Sequence, residues 1–252
     1  TARKLRGAND KLRKLSVQKD AFLSQISHEL RTPMTSIRAF SEILMEADGL
    51  STEEQAHFAE VIHDESIRLT RLLDDLLDLS VLEHGQVQLD VAPANLRKLI
   101  DQAITSSKSV QAQRHFRILR SRDDEEVMIT TDGGRLTQVF INILSNARKY
   151  CTSETPEMHI QVRRAQDMIE IDFTDNGSGI PTASQSLIFE KFSRLTDSLQ
   201  AGGAGLGLAI CREIMQNLGG DIIYVPGQGG ASFRVSFPRV LSLPAPRKDA
   251  AE

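Results

Sequence analysis

Two runs of apolar residues at helical spacing, separated by Asp48-Gly49, constrain this chain more than any other feature. In the first, Leu5, Ala8, Leu12, Leu15, Phe22 and Ile26 follow a spacing of three and four, interrupted by Lys19. That is the pattern of a coiled-coil seam. Near His28 the seam advances by fours through Phe22, Ile26, Leu30 and Met34, then continues through Ile37 and Leu44. Asp48-Gly49 ends the run, and Ser51 ahead of Glu53-Glu54 reads as an N-cap with an acidic first turn. A second helix is predicted from about Thr52 to Glu83, with a seam of Phe58, Ile62, Leu69, Leu72, Leu76 and Leu79, widened by Leu73 and Leu77. Two long helices joined by a short loop fold back as an antiparallel hairpin. One hairpin leaves Leu72-Leu73 and Leu76-Leu77 uncovered, and a homodimeric four-helix bundle would cover them. The plainer alternative is a hairpin packed only on the chain's own second domain.

At 252 residues the chain has room for one large domain or two smaller ones. A hydrophobic fraction of 40% and a charged fraction of 25% are ordinary for a globular protein. The net charge of -4 argues against a general nucleic-acid binder. No stretch approaches about 18 consecutive apolar residues, so no membrane span is expected, and no secretory signal is expected within the chain. The chain opens on Thr1, which suggests a fragment of something longer. Cys151 and Cys211 stand far apart without metal-ligand spacing, which suits a reducing compartment and no disulfide framework.

His28 lies two residues from both Ile26 and Leu30, a turn of about 200° away from the seam, so it is expected to face solvent. Glu29 beside it can hydrogen-bond an imidazole or take its proton. A neutral imidazole offers one lone-pair nitrogen as a nucleophile near neutral pH. Pro33, five residues on, should bend or loosen the helix. For His57, His63, His84, His115 and His159 an ordinary surface position is the favoured reading. The unusual string Ser27-His28-Glu29-Leu30-Arg31-Thr32-Pro33 sets His28 apart.

From about Gly85 the pattern changes. Residues 86–91 alternate like a strand, and Pro93 with Asn95 opens an amphipathic helix through Leu96, Leu99, Ile100 and Ala103. Strands are predicted near 116–119 and 127–130. Asp132 should cap a helix through Leu136, Val139, Phe140, Ile143 and Leu144. Residues 158–164 and 168–173 read as paired strands around Gln166-Asp167. A helix should follow Gly205, with strands near 221–225 and 231–237, and the tail from Leu241 to Glu252 is expected to be disordered. Helix-free stretches between strands favour hairpins in a mixed α/β sheet.

Asn142 and Asn146 share a helix face, with Lys149 following. Amide oxygens are hard ligands suited to Mg²⁺, and a lysine is a point charge suited to phosphate. Asp175 follows a strand and precedes Gly177 and Gly179. A carboxylate there can accept a hydrogen bond from an exocyclic amine such as adenine's. Gly203, Gly205 and Gly207 lead into an apolar helix whose N-terminus could hold phosphate. Their spacing is neither a dinucleotide fingerprint nor a Walker A loop. Between these glycine motifs, Phe189-Glu190-Lys191-Phe192-Ser193-Arg194 and the polar run 195–200 read as a mobile lid.

Taken together, these strings resemble the sensor histidine kinases of two-component signalling. Ser27–Pro33 resembles the H-box and Asn142–Tyr150 the N-box. Asp175–Gly179, Phe189–Arg194 and Gly203–Gly207 resemble the first glycine box, the F-box and the second glycine box. The likeness covers roughly residues 16 to 238, in the family's order. It implies a signalling coiled coil over 1–20, a dimerisation and phosphotransfer domain over 21–84, a Bergerat-type ATP-binding domain over 85–240, and a tail over 241–252. It implies that His28 takes the γ-phosphoryl group of ATP, with Glu29 as base. Thr32, in a Glu-x-x-Thr pattern, would orient water during dephosphorylation of a response regulator. Asn146 and Asn142 would hold Mg²⁺, Lys149 and Tyr150 would line the nucleotide, and Asp175 would read adenine beside Gly177, Gly179 and Ile180. Arg194, Gly203, Gly205, Leu206 and Gly207 would meet the phosphates through the lid. The implied partners are a second copy of the chain and a separate response-regulator receiver domain. The sensor domain would lie upstream, outside this sequence, and the region would be cytoplasmic, in a parent sensor that can be membrane-anchored. Ala204 and Cys151 depart from the threonines common in the family. The alternative is a dimeric scaffold that binds ATP and transfers nothing; intact His28, Glu29, Asn146 and Asp175 argue against it.

Overall fold

The computed structural model describes residues 2–46, 49–83, 88–108, 115–193 and 205–242, with the side chains of residues 2–12, 14, 15 and 18 outside that description. Leu5, Ala8, Leu12 and Leu15 of the expected seam therefore lie outside it, as does the expected tail from residue 243 onward. Contacts divide the chain into two units, one built on the chain up to Leu77 and the other running from Asp78. Among the described residues no helix is long and apolar enough to cross a membrane.

The first unit holds α1 (Ala2–Glu46) and most of α2 (Thr52–Glu83). Gly49, at φ +90°, supplies the turn between them. The start of α2 is a reciprocal capping box: the Glu54 N–H donates to Ser51 Oγ at 3.1 Å, and the Ser51 N–H donates to Glu54 Oε2 at 2.9 Å. Phe40 of α1 stacks on Phe58 of α2, ring centroids 5.4 Å apart. The expected seam needs one correction. Met34 is 57% exposed, whereas Pro33 is buried. Steps of four gain about 40° each on a 3.6-residue helix, so three steps from Phe22 leave the face. Ile26, Pro33, Ile37 and Leu44 stay within about 20° of one common direction. α1 runs through Pro33 without interruption. In α2, Leu72 is buried, but Leu73 and Leu77 are 45% and 65% exposed, so the chain's own hairpin leaves this ridge uncovered.

The second unit is an α/β layer. Strands β2 (Arg117–Arg120), β4 (Glu157–Ala165), β5 (Met168–Asp175), β7 (Ser232–Pro238) and β6 (Asp221–Tyr224) form a five-stranded sheet in the order β2-β4-β5-β7-β6. The β2–β4 pair is parallel and the others antiparallel. Alternation along β5, and along β7 from Phe233 onward, buries Ile169, Ile171, Phe173, Phe233, Val235 and Phe237 on one face. That face carries α3 (Leu96–Ser107), α4 (Gly133–Tyr150) and α5 (Gly207–Asn217), whose apolar stripes supply Ile100, Phe140, Ile143, Ile210 and Ile214. Phe140 meets Phe173 at 5.4 Å. The opposite face is polar: Asp172 accepts from Arg234 Nε at 2.8 Å and from Arg163 Nη2 at 2.7 Å.

A separate antiparallel ladder joins β1 (Val91–Asn95) to β3 (Met128–Asp132). The strand expected over 86–91 is thus displaced. Residues 88–90 are irregular, and the ladder instead takes in Pro93. A two-stranded ribbon tolerates a proline because the N–H it lacks can face away from the partner. Asn95 caps α3 and Asp132 caps α4, accepting from the Lys98 and Arg135 N–H groups at 3.2 and 3.0 Å.

Candidate nucleotide site and phosphoacceptor helix

On α1, His28 is exposed and Glu29 and Thr32 are half-buried. Thr32 Oγ1 donates to the His28 carbonyl one turn back, at 3.2 Å. This back-bond fixes the hydroxyl on the turn that carries the imidazole, and both lone pairs of its oxygen remain free to accept.

The second unit gathers most of the residues read as a nucleotide site around the end of β5. Asp175 is 8% exposed. Its Oδ1 accepts two backbone N–H groups, from Gly177 and from Ala231, each at 2.9 Å. Its Oδ2 receives no hydrogen bond among the described residues. Burial pushes the carboxyl above the usual aspartate range, and the two backbone donors only partly offset that. The result is an acceptor held in orientation on one oxygen and open on the other, as an exocyclic amine requires. Gly230 completes the wall: a Cβ there would overlap the Asp175 carbonyl oxygen and come within 2.8 Å of Oδ1. Gly179, at φ +72°, turns the chain after the carboxylate.

Along α4, Asn142, Asn146 and Lys149 are half-buried and share a face, and Tyr150 at the last position is 49% exposed. The two asparagines differ. Asn142 Nδ2 donates to the Gly207 carbonyl at 3.3 Å and meets Cys211 Sγ at 3.6 Å, tying α4 to the start of α5. Asn146 has no hydrogen-bond partner among the described residues, which leaves its whole carboxamide for a ligand. Donors of this kind suit a hard cation with most of its water retained. Gly205, at φ +71°, and the buried Leu206 directly precede α5. Arg194, Gly203, Ala204 and the predicted lid over 195–200 lie outside the described residues. The F-box-like segment is described to Ser193. In it Phe192 is buried at φ +61°, a left-handed conformation that costs a bulky residue of order 1–3 kcal/mol. Strain of this size persists only where the surrounding packing over-determines the backbone.

Residues 18–85 match the "His Kinase A (phospho-acceptor) domain", and residues 131–241 match the "Histidine kinase-, DNA gyrase B-, and HSP90-like ATPase". The chain belongs to the histidine kinase family. Among similar curated proteins, the circadian input-output histidine kinase CikA of Synechococcus elongatus is 35% identical over 87% of this chain. The aerobic respiration control sensor protein ArcB of Escherichia coli is 33% identical over 90%. The chain spans 30% of the length of each of these relatives. Among solved structures, histidine kinase ThkA in complex with response regulator protein TrrA superposes with a TM-score of 0.67 at 24% identity. That likeness covers 90% of this chain and 63% of the other, and it supports the fold.

For this histidine kinase, sequence reading missed four residues at the Asp175 site. Ala231 and Gly230 reach Asp175 from 56 and 55 positions away. Tyr224 and Gln185 grip the loop after Gly179. The double glycine Gly229-Gly230 was the available signal for the first pair, and it reads equally well as a hairpin turn. Cys151 is buried, with its thiol donating to Asn176 Oδ1 at 3.4 Å.

Proposed function

We propose that this chain is the transmitter region of a dimeric histidine autokinase, residues 21–84 carrying the phosphoacceptor and 85–240 the ATP site. Asp175 carries the reading: a buried carboxylate with one oxygen saturated by backbone donors and the other open fits adenine's amine. ATP bound there with Mg²⁺ would supply the γ-phosphoryl group. Asp175 holds the base, Asn146 offers a metal ligand, with Asn142 Oδ1 as a further acceptor, and Lys149 offers charge to phosphate. An imidazole nitrogen of His28 provides the electron pair for a new N–P bond as the γ-phosphorus–oxygen bond breaks. Glu29 takes the imidazole proton. The phosphoryl group then passes to an aspartate of a separate response regulator, which is the partner in the ThkA complex.

Incubating the purified chain with γ-labelled ATP and Mg²⁺ tests this. Label should appear on the protein, resist alkali and be lost in acid. An unlabelled protein, or label that survives acid, would sink the autokinase reading.

Two expectations follow from the hairpin. Leu73 and Leu77 need cover that the described residues do not provide, and a second copy would supply it. Leu73→Asp with Leu77→Asp should convert a dimer into monomers in light scattering, because a charge cannot be buried unpaired. A wild-type chain that is already monomeric at micromolar concentration contradicts the bundle. Thr32, bonded to the His28 carbonyl one turn back, would orient water on a regulator's phosphoaspartate. Thr32→Ala should keep autophosphorylation but slow phosphate loss from a receiver domain that the wild-type chain labels. Equal decay rates would remove that role.

A further inference from the structure

The loop that follows Asp175 is held by side chains that no motif of the site includes. Ile180 is pinned on both of its backbone groups. Its N–H donates to Tyr224 Oη at 3.2 Å, and its carbonyl accepts from Gln185 Nε2 at 2.9 Å. The same tyrosine oxygen closes the space over the preceding residue. A Cβ on Gly179 would lie 3.5 Å from Tyr224 Oη and 3.3 Å from the Gly230 carbonyl oxygen. Gly230 in turn abuts Asp175, and the next N–H, that of Ala231, is one of the two donors on Asp175 Oδ1. Tyr224 and the Gly230-Ala231 turn therefore brace the two ends of the Asp175–Ile180 loop.

Tyr224 is itself fixed. Its ring meets Phe233 edge-on, with centroids 5.8 Å apart and planes at 68°. Phe189, at the start of the F-box-like segment, meets Phe233 at 6.3 Å and 88°. Arg212 of α5 lies 5.0 Å over the Phe189 ring. One contiguous stack thus links the loop after Asp175 to β6, β7, the F-box and α5. Edge-to-face pairs have a preferred geometry, so the stack resists sliding.

We propose that Tyr224 is a positioning residue of the nucleotide site, its hydroxyl setting the Gly179-Ile180 wall against which the adenine base is held. The hydroxyl does not touch the transferred phosphoryl group, so its contribution is to base binding alone. It acts equally in the ATP and ADP complexes and leaves the chemical step untouched. The inference rests on the nucleotide reading above and adds a residue to it.

The test is Tyr224→Phe, which removes one oxygen and keeps the stacked ring. Calorimetric titration with ADP should give a Kd raised about five- to tenfold, because the half-buried Ile180 N–H is left unpaired and the loosened loop must then be ordered at the expense of binding. In the autophosphorylation assay KM for ATP should rise by a like factor while kcat at saturating ATP stays unchanged. Amide hydrogen exchange gives a local readout. The Ile180 amide should exchange faster in the variant, whereas the Ala231 amide, bonded to Asp175, should not. Gln185→Met, which frees the Ile180 carbonyl, should weaken ADP in the same sense. An unchanged Kd with unchanged Ile180 exchange overturns the proposal. So does a weaker Kd in which the Ala231 amide also loosens or kcat falls, since that pattern is general destabilisation. A wild-type chain that binds no adenine nucleotide refutes the nucleotide reading, and this inference with it; wild-type binding with an indifferent Tyr224→Phe refutes the inference alone.

Discussion

A His28→Gln chain treated with γ-labelled ATP and Mg²⁺ should carry no acid-labile label, yet bind ADP as the wild type does. Glutamine is a good helix former, so α1 keeps its conformation across the substitution. His28 is exposed, so its loss opens no cavity. What the substitution removes is the proposed nucleophile. An imidazole nitrogen has a free electron pair near neutral pH, whereas an amide nitrogen has given its pair to resonance. The phosphorus–nitrogen bond of a phosphohistidine breaks in acid because the ring nitrogen protonates and leaves, and phosphoserine or phosphothreonine esters survive that treatment. The variant also separates His28 from the other exposed histidines. His57, His63, His115 and His159 are all solvent-accessible and none stands in a string like Ser27–Pro33. Acid-labile label persisting on the His28→Gln chain would move the acceptor to another histidine, His84 included.

The helices were the most legible part of the sequence, because their information is local. Asp48-Gly49, Ser51 and the acidic pair after it place the start of α2 at Thr52, and the apolar period carries it to Glu83. The failure at Met34 has the same origin as the success: spacing by fours and by threes both look helical over two turns, and only the accumulated angle separates them. Asp132, Asn95 and the β4–β5 pair around Gln166-Asp167 were also within reach, each within a few residues of its partners. The strand expected over 86–91 was not, because the ladder that β1 forms depends on β3, more than thirty positions on. The site divides along the same line. The position of Asp175 at a strand end could be read from alternation, and so could the shared face of Asn142 and Asn146. That Asn142 is committed to Gly207 and Cys211 while Asn146 is not depends on how α4 meets α5. Tyr224, Gln185, Gly230 and Ala231 enter through sheet pairing and loop packing, which no local pattern encodes.

Asp175→Ala is expected to weaken ATP and ADP by at least on the order of a hundredfold, and wild-type protein is expected to bind GTP far more weakly than ATP. The two Asp175 oxygens have different duties. Oδ1 is occupied by the Gly177 and Ala231 N–H groups. Oδ2 receives no hydrogen bond among the described residues and is the oxygen proposed to meet the amine. Alanine leaves two backbone donors and the adenine amine without an acceptor. Guanine presents a carbonyl where adenine presents the amine, so two acceptors would face each other. The carboxamide of an Asp175→Asn chain has one oxygen for what needs two. If that oxygen keeps the backbone donors, its NH₂ confronts the adenine amine; if it turns to adenine, its NH₂ confronts Gly177 and Ala231. Asp175→Asn should therefore recover little of the lost affinity at neutral pH. The pH dependence has a definite sign. Burial raises the Asp175 pKa in the folded protein, so the ionised acceptor that adenine needs is present above that raised value and lost as pH falls through it. ADP affinity should drop at a higher pH than an ordinary aspartate would give. The same shift means that protonation stabilises the fold, and that this stabilisation is lost as pH rises through the folded pKa. The carboxylate at neutral pH is thus a cost to folding that nucleotide binding offsets. Calorimetric titration of the wild type and both variants with ADP and GTP, repeated across the acid range, decides the matter. Equal affinity for the two nucleotides, or an Asp175→Ala chain that binds ADP normally, would reduce Asp175 to a turn residue.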